Sequence, residues 1–231
     1  MARPLVPLLL ATTNKGKARE LGRGLGAAPV KVITLDELGL LSEYPETGAT
    51  FAENARGKSL HYARLSGLPT LADDSGLEIG ALGGAPGVYS ARYSDPGATD
   101  ARNIRKALRA LEGIPESERG ARFVCAMALS WNGRILKTTR GTVRGRIIFA
   151  PRGTAGFGYD PIFFYRPFGR TFGELSDEEK QSISHRGHAL RLMIAFIEKA
   201  VKEGRPSLWE RGTARGGGDA PGGRGSRPLR P

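Results

Sequence analysis

The sequence predicts an α/β fold with a mixed sheet flanked by helices, and three observations support this prediction. Strand-like apolar segments alternate with helical segments, in the order β-α-β-α-β-α, over the first half of the 231 residues. Two β-rich runs then follow each other directly, which is typical of antiparallel strands. The chain next returns to amphipathic helical segments, so one helix-covered sheet should contain both parallel and antiparallel strands.

The first β-α-β unit is predicted before residue 35. Val6–Ala11 is a near-continuous apolar run, which is typical of a strand buried on both faces. Asn14 then precedes apolar residues at helical spacing, so it is a candidate N-cap. Val30–Thr34 has the length and composition of a second strand.

The second helix is marked at both ends. Thr50 and Glu53 have capping-box spacing at its start, and Gly67 is a candidate C-cap. A third strand at residues 68–72 follows and leads into two adjacent aspartates at 73–74. We expect a turn at these aspartates, with the two carboxylates facing different ways.

The middle of the chain is predicted to add a helix and antiparallel strands. A stripe of apolar residues predicts a helix that ends at Gly113. Asn132-Gly133 separates two β-rich runs and is a strong hairpin signal. Residues 141–149 are predicted to form a third antiparallel strand.

The last elements and the domain limits follow from turn and capping signals. The segment "GFGYDPIFFY" predicts a glycine-rich turn that leads into an aromatic strand. Ser176 and Glu179 have capping-box spacing, and "SHRGHALRLMIAFIEKAV" is an amphipathic helix. We therefore predict one domain over residues 1–203, followed by a disordered Arg-, Gly- and Pro-rich tail over 204–231.

Composition limits the class of protein. Hydrophobic content of 39% and charged content of 25% are ordinary for a globular protein, and the apolar runs are too short to span a bilayer. The single cysteine, Cys125, fits a reducing cytoplasm. The net charge of +12 suits a polyanionic partner, but solubility also explains it. Nucleic acid is therefore not favoured as the main partner, and small phosphorylated substrates are also polyanions.

The segment "ATTNKGKA" is a candidate phosphate site. A strand ends there, and a helix begins with Lys17 in its first turn, so hydroxyl, amide and ammonium donors meet at a helix N-terminus. The segment is not a Walker loop, because Ala18 stands where that motif needs Ser or Thr. On these residues alone, an ordinary βα turn with a capping Asn is the simpler explanation.

The segment "ADDSG" is a candidate metal site. Carboxylates at the carboxyl end of a buried strand lie where open α/β sheets place ligands. Carboxylate and phosphate oxygens together suit Mg²⁺. The alternative is an Asx-turn or a helix cap, since Asp-Ser-Gly is also favourable in turns.

Two later segments are candidates for binding a base. In "GFGYDP", glycines allow close approach of the backbone beside an aromatic ring that can stack. "KQSISHRG" offers three donors, Lys180, His185 and Arg186, which suit a keto oxygen on a purine. A turn between core elements is the alternative for each segment. Together with the phosphate and metal candidates, however, they outline a nucleoside triphosphate site.

Five segments, in this order, resemble the inosine/xanthosine triphosphate pyrophosphatase family, whose members remove non-standard purine nucleotides. The segments are "LLLATTNKGKARELG", "ETGATFAENARGKS", "ADDSGLEIGALGGAPGVYSARYS", "GFGYDPIFF" and "EEKQSISHRGHAL". The resemblance covers about residues 8–197. It implies a mixed α/β fold with a long twisted central sheet, two lobes with a cleft between them, a homodimer, and a requirement for Mg²⁺. It also implies hydrolysis of dITP, ITP and XTP to the monophosphate and pyrophosphate.

The resemblance also implies roles for individual residues. Asp74 and Lys58 match the catalytic positions, and Asp74 and Glu46 match the metal-associated acids. The positions that match substrate contacts are Thr12, Asn14, Lys17, Ser75, Phe157, Gly158, Tyr159, Asp160, Lys180, His185 and Arg186.

These roles give a hypothesis for the two aspartates. Asp74 helps to hold Mg²⁺ and activates the water that attacks the α-phosphorus, while Asp73 turns away and anchors the bend. Two alternatives stay open. One is the related septum-site nucleotide pyrophosphatase group, which has a different base preference and a serine- and arginine-rich phosphate loop. The other is a basic RNA-associated protein that uses the Arg/Gly tail.

Overall fold

The computed structural model describes residues 5–40 and 43–203. The strands are β1 (Val6–Ala11), β2 (Val30–Thr34), β3 (Thr70–Ile79), β4 (Gly120–Trp131), β5 (Arg134–Ile147), β6 (Phe163–Tyr165) and β7 (Arg170–Thr171). The helices are α1 (Lys15–Leu25), α2 (Phe51–Ser66), α3 (Asp100–Ala110), α4 (Asp177–Ile183) and α5 (His185–Lys202). Short 3₁₀ turns lie between several of them. The predicted tail at 204–231 lies outside the described residues, and the division into a domain and a tail stays a prediction.

The described strands form one seven-stranded mixed sheet in the order β2-β1-β3-β4-β5-β6-β7. β1 is parallel to both β2 and β3, and the remaining neighbours are antiparallel. The predicted mixed α/β fold is therefore confirmed, with a sheet that is mostly antiparallel. The arrangement as two lobes with a cleft stays a prediction.

Helices cover both faces of this sheet, and the alternation of side chains along β4 shows how. Cys125 and Met127 point into a cluster with Leu21 of α1 and Leu190 of α5. The alternate residues of β4, such as Ala126, point to the opposite face and pack with α2. Successive side chains along a central strand therefore alternate between two faces of the sheet. One face is covered by α1 and α5, and the other by α2. No described helix combines the length and apolarity needed to cross a membrane.

The capping signals predicted from sequence are confirmed. The Asn14 side chain accepts a hydrogen bond from the Lys17 backbone N–H at 3.0 Å, and Thr50 accepts one from the Glu53 N–H at 3.1 Å. α2 ends at Gly67, whose φ of +63° is the left-handed conformation that favours glycine. α3 is shorter than predicted, since it ends at Ala110.

The predicted turn at the two adjacent aspartates is wrong. β3 continues through both, with Asp73 opposite Met127 and Asp74 opposite Ala126 on the antiparallel strand β4. The β4 backbone, about 50 residues away in sequence, supplies the hydrogen-bond partners that keep this polar segment extended. Asp73 consequently faces α1 and α5, whereas Asp74 faces α2.

The predicted third antiparallel strand at 141–149 is also wrong. Asn132 and Gly133 form the expected hairpin turn, with φ of +49° and +73°. β5 then runs unbroken for 14 residues, because it stays paired with β4 as far as Arg146 opposite Gly120. Gly141 in this strand marks a close approach of α5, since a Cβ there would lie 2.0 Å from the His185 carbonyl oxygen.

We predict that Gly141→Ala lowers the free energy of unfolding by about 1–3 kcal/mol, as overpacking typically does. The added methyl group meets backbone atoms of α5, which cannot move aside as a flexible side chain can. Gly120→Ala is the matched control, because nothing lies within 4 Å of a Cβ at this strand position. Urea unfolding of both variants tests the prediction, and equal stabilities would contradict it.

Candidate active site

The carboxyl end of β1 and the N-terminus of α1 border a cavity of about 570 Å³. The connecting loop is held by its own side chains, since Thr12 Oγ1 accepts a hydrogen bond from the Asn14 N–H at 3.2 Å. A helix N-terminus favours anions, so this end of the cavity suits phosphate. Five predicted site residues line the cavity: Thr12, Asn14, Lys17, Glu46 and Lys58.

A second cavity, of about 150 Å³, adjoins the first. Asn14, Lys17 and Ala91 line both cavities, so the two cavities meet at these residues. The predicted residues that line only the second cavity are Ser75, Phe157, Gly158, Tyr159, Asp160, Lys180, His185 and Arg186. The structure thus separates the predicted phosphate residues from the predicted base residues and places Lys17 between them.

Asp74 lines neither cavity, because its side chain is nearly covered, with 3% exposure. Its Oδ2 accepts a hydrogen bond from the Asn54 side chain at 2.9 Å, and its Oδ1 accepts one from the Ser75 N–H at 2.8 Å. Burial raises the pKa of Asp74 above its usual value, and the nearby Glu46 carboxylate raises it further, against Lys17 and Lys58. A carboxylate with a raised pKa is suited to accept a proton.

Lys58 lies near both predicted metal-associated acids. Its ammonium forms an ion pair with Glu46, although the two residues belong to different segments. Burial by itself would lower the pKa of Lys58, but the carboxylates of Glu46, Asp73 and Asp74 outweigh it and raise the pKa. Lys58 is therefore a fixed cation between acidic groups.

The donor set fits Mg²⁺. Among the described residues, no group of three or more His, Cys, Asp or Glu side chains is arranged to hold a metal ion. Asp74 and Glu46 supply two carboxylates, and Glu46 lies close enough to Asp74 to raise its pKa. Mg²⁺ commonly takes only one or two carboxylates from a protein and completes its shell with substrate phosphates and water. The cavity that Glu46 lines has room for those additional oxygens.

A chain of buried charges links the two cavities on the other face of the sheet. Asp73 Oδ2 lies 3.3 Å from Lys17 Nζ and 3.4 Å from Arg186 Nε. Arg186 also contacts Glu20, and Glu20 in turn lies 2.6 Å from Lys180 Nζ. The expectation that Asp73 anchors a bend is therefore wrong, because it anchors two buried cations instead.

The pKa values follow from this chain of charges. Burial would raise the pKa of Asp73, but Lys17, Arg186 and Lys58 hold it well below the usual value. The pKa of Glu20 is lowered too, since Arg186 and Lys180 outweigh its burial. Both carboxylates therefore stay ionised and keep the cations in place.

Lys180 and Arg186 extend from this chain toward the second cavity. Lys180 also forms an ion pair with Asp160, whose Oδ2 accepts a hydrogen bond from the Phe157 N–H at 2.9 Å. The Phe157 ring lies 4.8 Å from the Lys180 ammonium and 5.4 Å from the Arg186 guanidinium carbon, measured to the ring centre. A planar ring and two cations thus border the same small cavity.

His185 and Tyr159 complete the wall of the second cavity. The His185 ring stacks on Phe123, with centroids 4.7 Å apart, and its buried Nδ1 has no hydrogen-bond partner among the described residues. Burial and then the nearby Arg186 lower the pKa of His185 well below its usual value, so the ring is neutral. Tyr159 is buried, and its hydroxyl donates a hydrogen bond to the Ser90 carbonyl oxygen at 2.9 Å. Tyr159 therefore holds the wall of the cavity together.

Comparison with known proteins shows which family the chain belongs to. A family model described as the Ham1 family matches residues 8–196. The chain belongs to the Ham1 family. It is 52% identical, over 84% of its length and 83% of the relative's, to the dITP/XTP pyrophosphatase of Syntrophobacter fumaroxidans. It is 44% identical to the dITP/XTP pyrophosphatase of an Anaeromyxobacter species, over 85% and 99% of the two chains.

Solved structures of the Ham1 family have the same fold. A HAM1 protein from Coxiella burnetii superposes with a TM-score of 0.77 and 44% identity, covering 85% of this chain and all of the other. A nucleoside-triphosphatase, dITP/XTP pyrophosphatase, from Mycobacterium abscessus gives a TM-score of 0.66 and 42% identity over 81% and 98% of the chains. The resemblance inferred from five sequence segments is thereby confirmed.

Sequence reasoning about this Ham1 family chain missed several residues around the two cavities. Glu20 had no signal of its own, because a Glu on a helix is usually exposed. Arg92 lines the larger cavity, and its guanidinium donates to the Glu46 carbonyl oxygen at 3.0 Å. Asn54 had a weak signal, since it shares a helix face with Lys58 one turn away. The roles of all the site residues stay predictions.

Proposed function

We propose that the protein hydrolyses the non-standard purine nucleotides dITP, ITP and XTP to the monophosphate and pyrophosphate. The observation that supports this most strongly is the pair of adjoining cavities that share Asn14 and Lys17. The larger cavity has cations suited to a triphosphate and an acid suited to its Mg²⁺. The smaller cavity has hydrogen-bond donors beside an aromatic ring. Relatives of the Ham1 family with the name dITP/XTP pyrophosphatase favour this function over the septum-site alternative.

In the proposed reaction, Asp74 orients a water molecule and accepts its proton as the water oxygen bonds to the α-phosphorus. The bond from the α-phosphorus to the bridging oxygen breaks, and pyrophosphate leaves. Lys17 and Lys58 stabilise the negative charge on the phosphate oxygens, and the N-terminus of α1 adds its dipole. Asp74 and Glu46 would hold Mg²⁺, which when bound neutralises phosphate charge.

Base selection is proposed to occur in the smaller cavity. Lys180 and Arg186 each form an ion pair with Glu20 there. An ammonium or guanidinium group can donate to a 6-keto oxygen but has no acceptor for a 6-amino group. An adenine base would leave these donors unpaired and would add its own unpaired N–H group, which a buried site disfavours strongly. Phe157 offers its face for stacking on the base.

The proposal is tested with a panel of nucleotides in the presence of Mg²⁺. We expect dITP, ITP and XTP to be cleaved much faster than ATP and CTP, with pyrophosphate as the primary product and no activity after chelation by EDTA. dGTP is the informative competitor, because it has the same 6-keto oxygen. Orthophosphate as the primary product, or equal rates with ATP, would contradict the proposal.

We extend the proposal to a homodimer located in the cytoplasm. The family resemblance supports the dimer, and the single cysteine is in keeping with a reducing compartment. Sedimentation of the purified chain measures the oligomeric state, and a monomer at all concentrations would contradict this part of the proposal.

A further inference from the structure

We propose that Asn54 is a positioning residue that holds the two predicted metal carboxylates, Asp74 and Glu46, in a fixed relation to each other. This inference rests on the proposed function, since it assigns a role within the same site. Asn54 lies in the first part of α2, facing β3, and its side chain is 1% exposed. Water therefore does not compete for its hydrogen bonds.

The first contact orients Asp74. The Asn54 Nδ2 donates to Asp74 Oδ2 at 2.9 Å, while the Ser75 N–H occupies Asp74 Oδ1 at 2.8 Å. The carboxylate thus has one donor on each oxygen and cannot rotate freely about its χ2 bond. A general base must be held in its productive orientation, because a small misplacement costs rate even where binding survives.

The second contact fixes the segment that carries Glu46. The Asn54 Oδ1 accepts a hydrogen bond from the Gly48 backbone N–H at 2.7 Å, two residues after Glu46. The packing there is close, since a Cβ on Gly48 would lie only 2.7 Å from the same Oδ1 atom. The Arg92 guanidinium holds the other side of this segment through the Glu46 carbonyl oxygen at 3.0 Å. Glu46 is therefore held from both directions.

An amide is the group this position needs. A primary amide donates through its nitrogen and accepts through its oxygen, so one side chain can bind a carboxylate and a backbone N–H together. Aspartate keeps the acceptor for Gly48 but cannot donate to ionised Asp74. Leucine, of similar size, keeps neither contact. The two substitutions therefore separate the functions of the two ends of the side chain.

The test compares Asn54→Leu and Asn54→Asp with wild type. We expect kcat for dITP to fall roughly 10- to 100-fold in both variants, the range expected for a lost hydrogen bond to a charged group, with little change in KM. We also expect weaker binding of Mn²⁺ by Asn54→Leu in complex with α,β-imido-dITP, measured by electron paramagnetic resonance. This second measurement does not depend on turnover.

Ser59→Ala is the matched control, because Ser59 is buried on the same helix and, within residues 5–40 and 43–203, its hydroxyl bonds only to the Arg56 carbonyl oxygen. It should keep wild-type kcat and Mn²⁺ affinity. Unchanged kcat in folded Asn54→Asp, or unchanged Mn²⁺ affinity in Asn54→Leu, would overturn the inference, whatever the melting temperatures. If wild type bound α,β-imido-dITP but released no pyrophosphate from dITP, the proposed function would fail, while the Mn²⁺ comparison would still decide the role of Asn54.

Discussion

Asp74→Asn is expected to lower kcat for dITP by roughly 10³-fold while the protein stays folded, because a general base typically contributes 10²- to 10⁴-fold. The amide has the same shape and can still accept the hydrogen bond from Asn54 through its oxygen. Its NH2 group then faces the Ser75 N–H, so that hydrogen bond is lost, and the amide cannot take a proton from water. The raised pKa of Asp74 shows that the folded protein disfavours its ionised form. Removing the charge offsets the lost hydrogen bond from Ser75, so the free energy of unfolding should stay close to that of wild type.

Steady-state kinetics and urea unfolding of the same preparation test this prediction. The kinetic loss should appear in kcat, with a smaller effect on KM, because the water is activated only in the transition state. Wild-type kcat in Asp74→Asn would remove this carboxylate from the mechanism. A large loss of stability would show that Asp74 supports the fold.

Asp73→Asn is expected to affect stability, unlike Asp74→Asn. The free energy of unfolding should fall by about 3–5 kcal/mol, as for other broken buried ion pairs. Asp73 is fully buried and compensates Lys17 and Arg186, and the Arg186 side chain is only 2% exposed. A neutral amide leaves these two cations with less negative charge around them. For a domain of this size, the melting temperature should fall on the order of 10 °C.

The sign of the pH dependence gives a further check on the same variant. The pKa of Asp73 is lowered by folding from its usual 3.8, so its contribution to stability is fully present above that value. It is lost as the pH falls toward the lower pKa of the folded state. The difference in melting temperature between wild type and Asp73→Asn should therefore be constant near neutral pH and shrink below about pH 4. A difference that grows in acid would contradict the ion-pair explanation.

Local signals in the sequence predicted the helix starts and the tight turns correctly. Asn14 and Thr50 cap helices because a short polar side chain can accept from an N–H two or three residues ahead, wherever the helix lies in the fold. Asn132-Gly133 forms the hairpin because these two residues tolerate positive φ. Interactions of this kind depend on a few neighbouring residues, so they can be inferred without the tertiary structure.

Predictions that depended on distant partners failed. Asp-Asp-Ser-Gly is favourable in a turn, but β4 pairs with the whole segment and keeps it extended. Residues 141–149 are predicted as a separate strand, yet Gly141 lies inside β5 and gives α5 room to approach it. In both places the tertiary partner overrides a local preference, because a paired strand satisfies backbone groups that a turn would leave to water.

The sequence alone determined the order of the elements, the residue types at the site and, through five ordered segments, the family. Only the tertiary structure decided that Asp73 and Asp74 belong to opposite faces of one strand, and hence that one is surrounded by cations while the other is joined to Asn54. The physical reason is the two-residue repeat of an extended strand: side chains adjacent in sequence enter environments built by different helices. The environments, and with them the opposite pKa shifts of two chemically identical groups, exist only after α1, α2 and α5 have packed on the sheet.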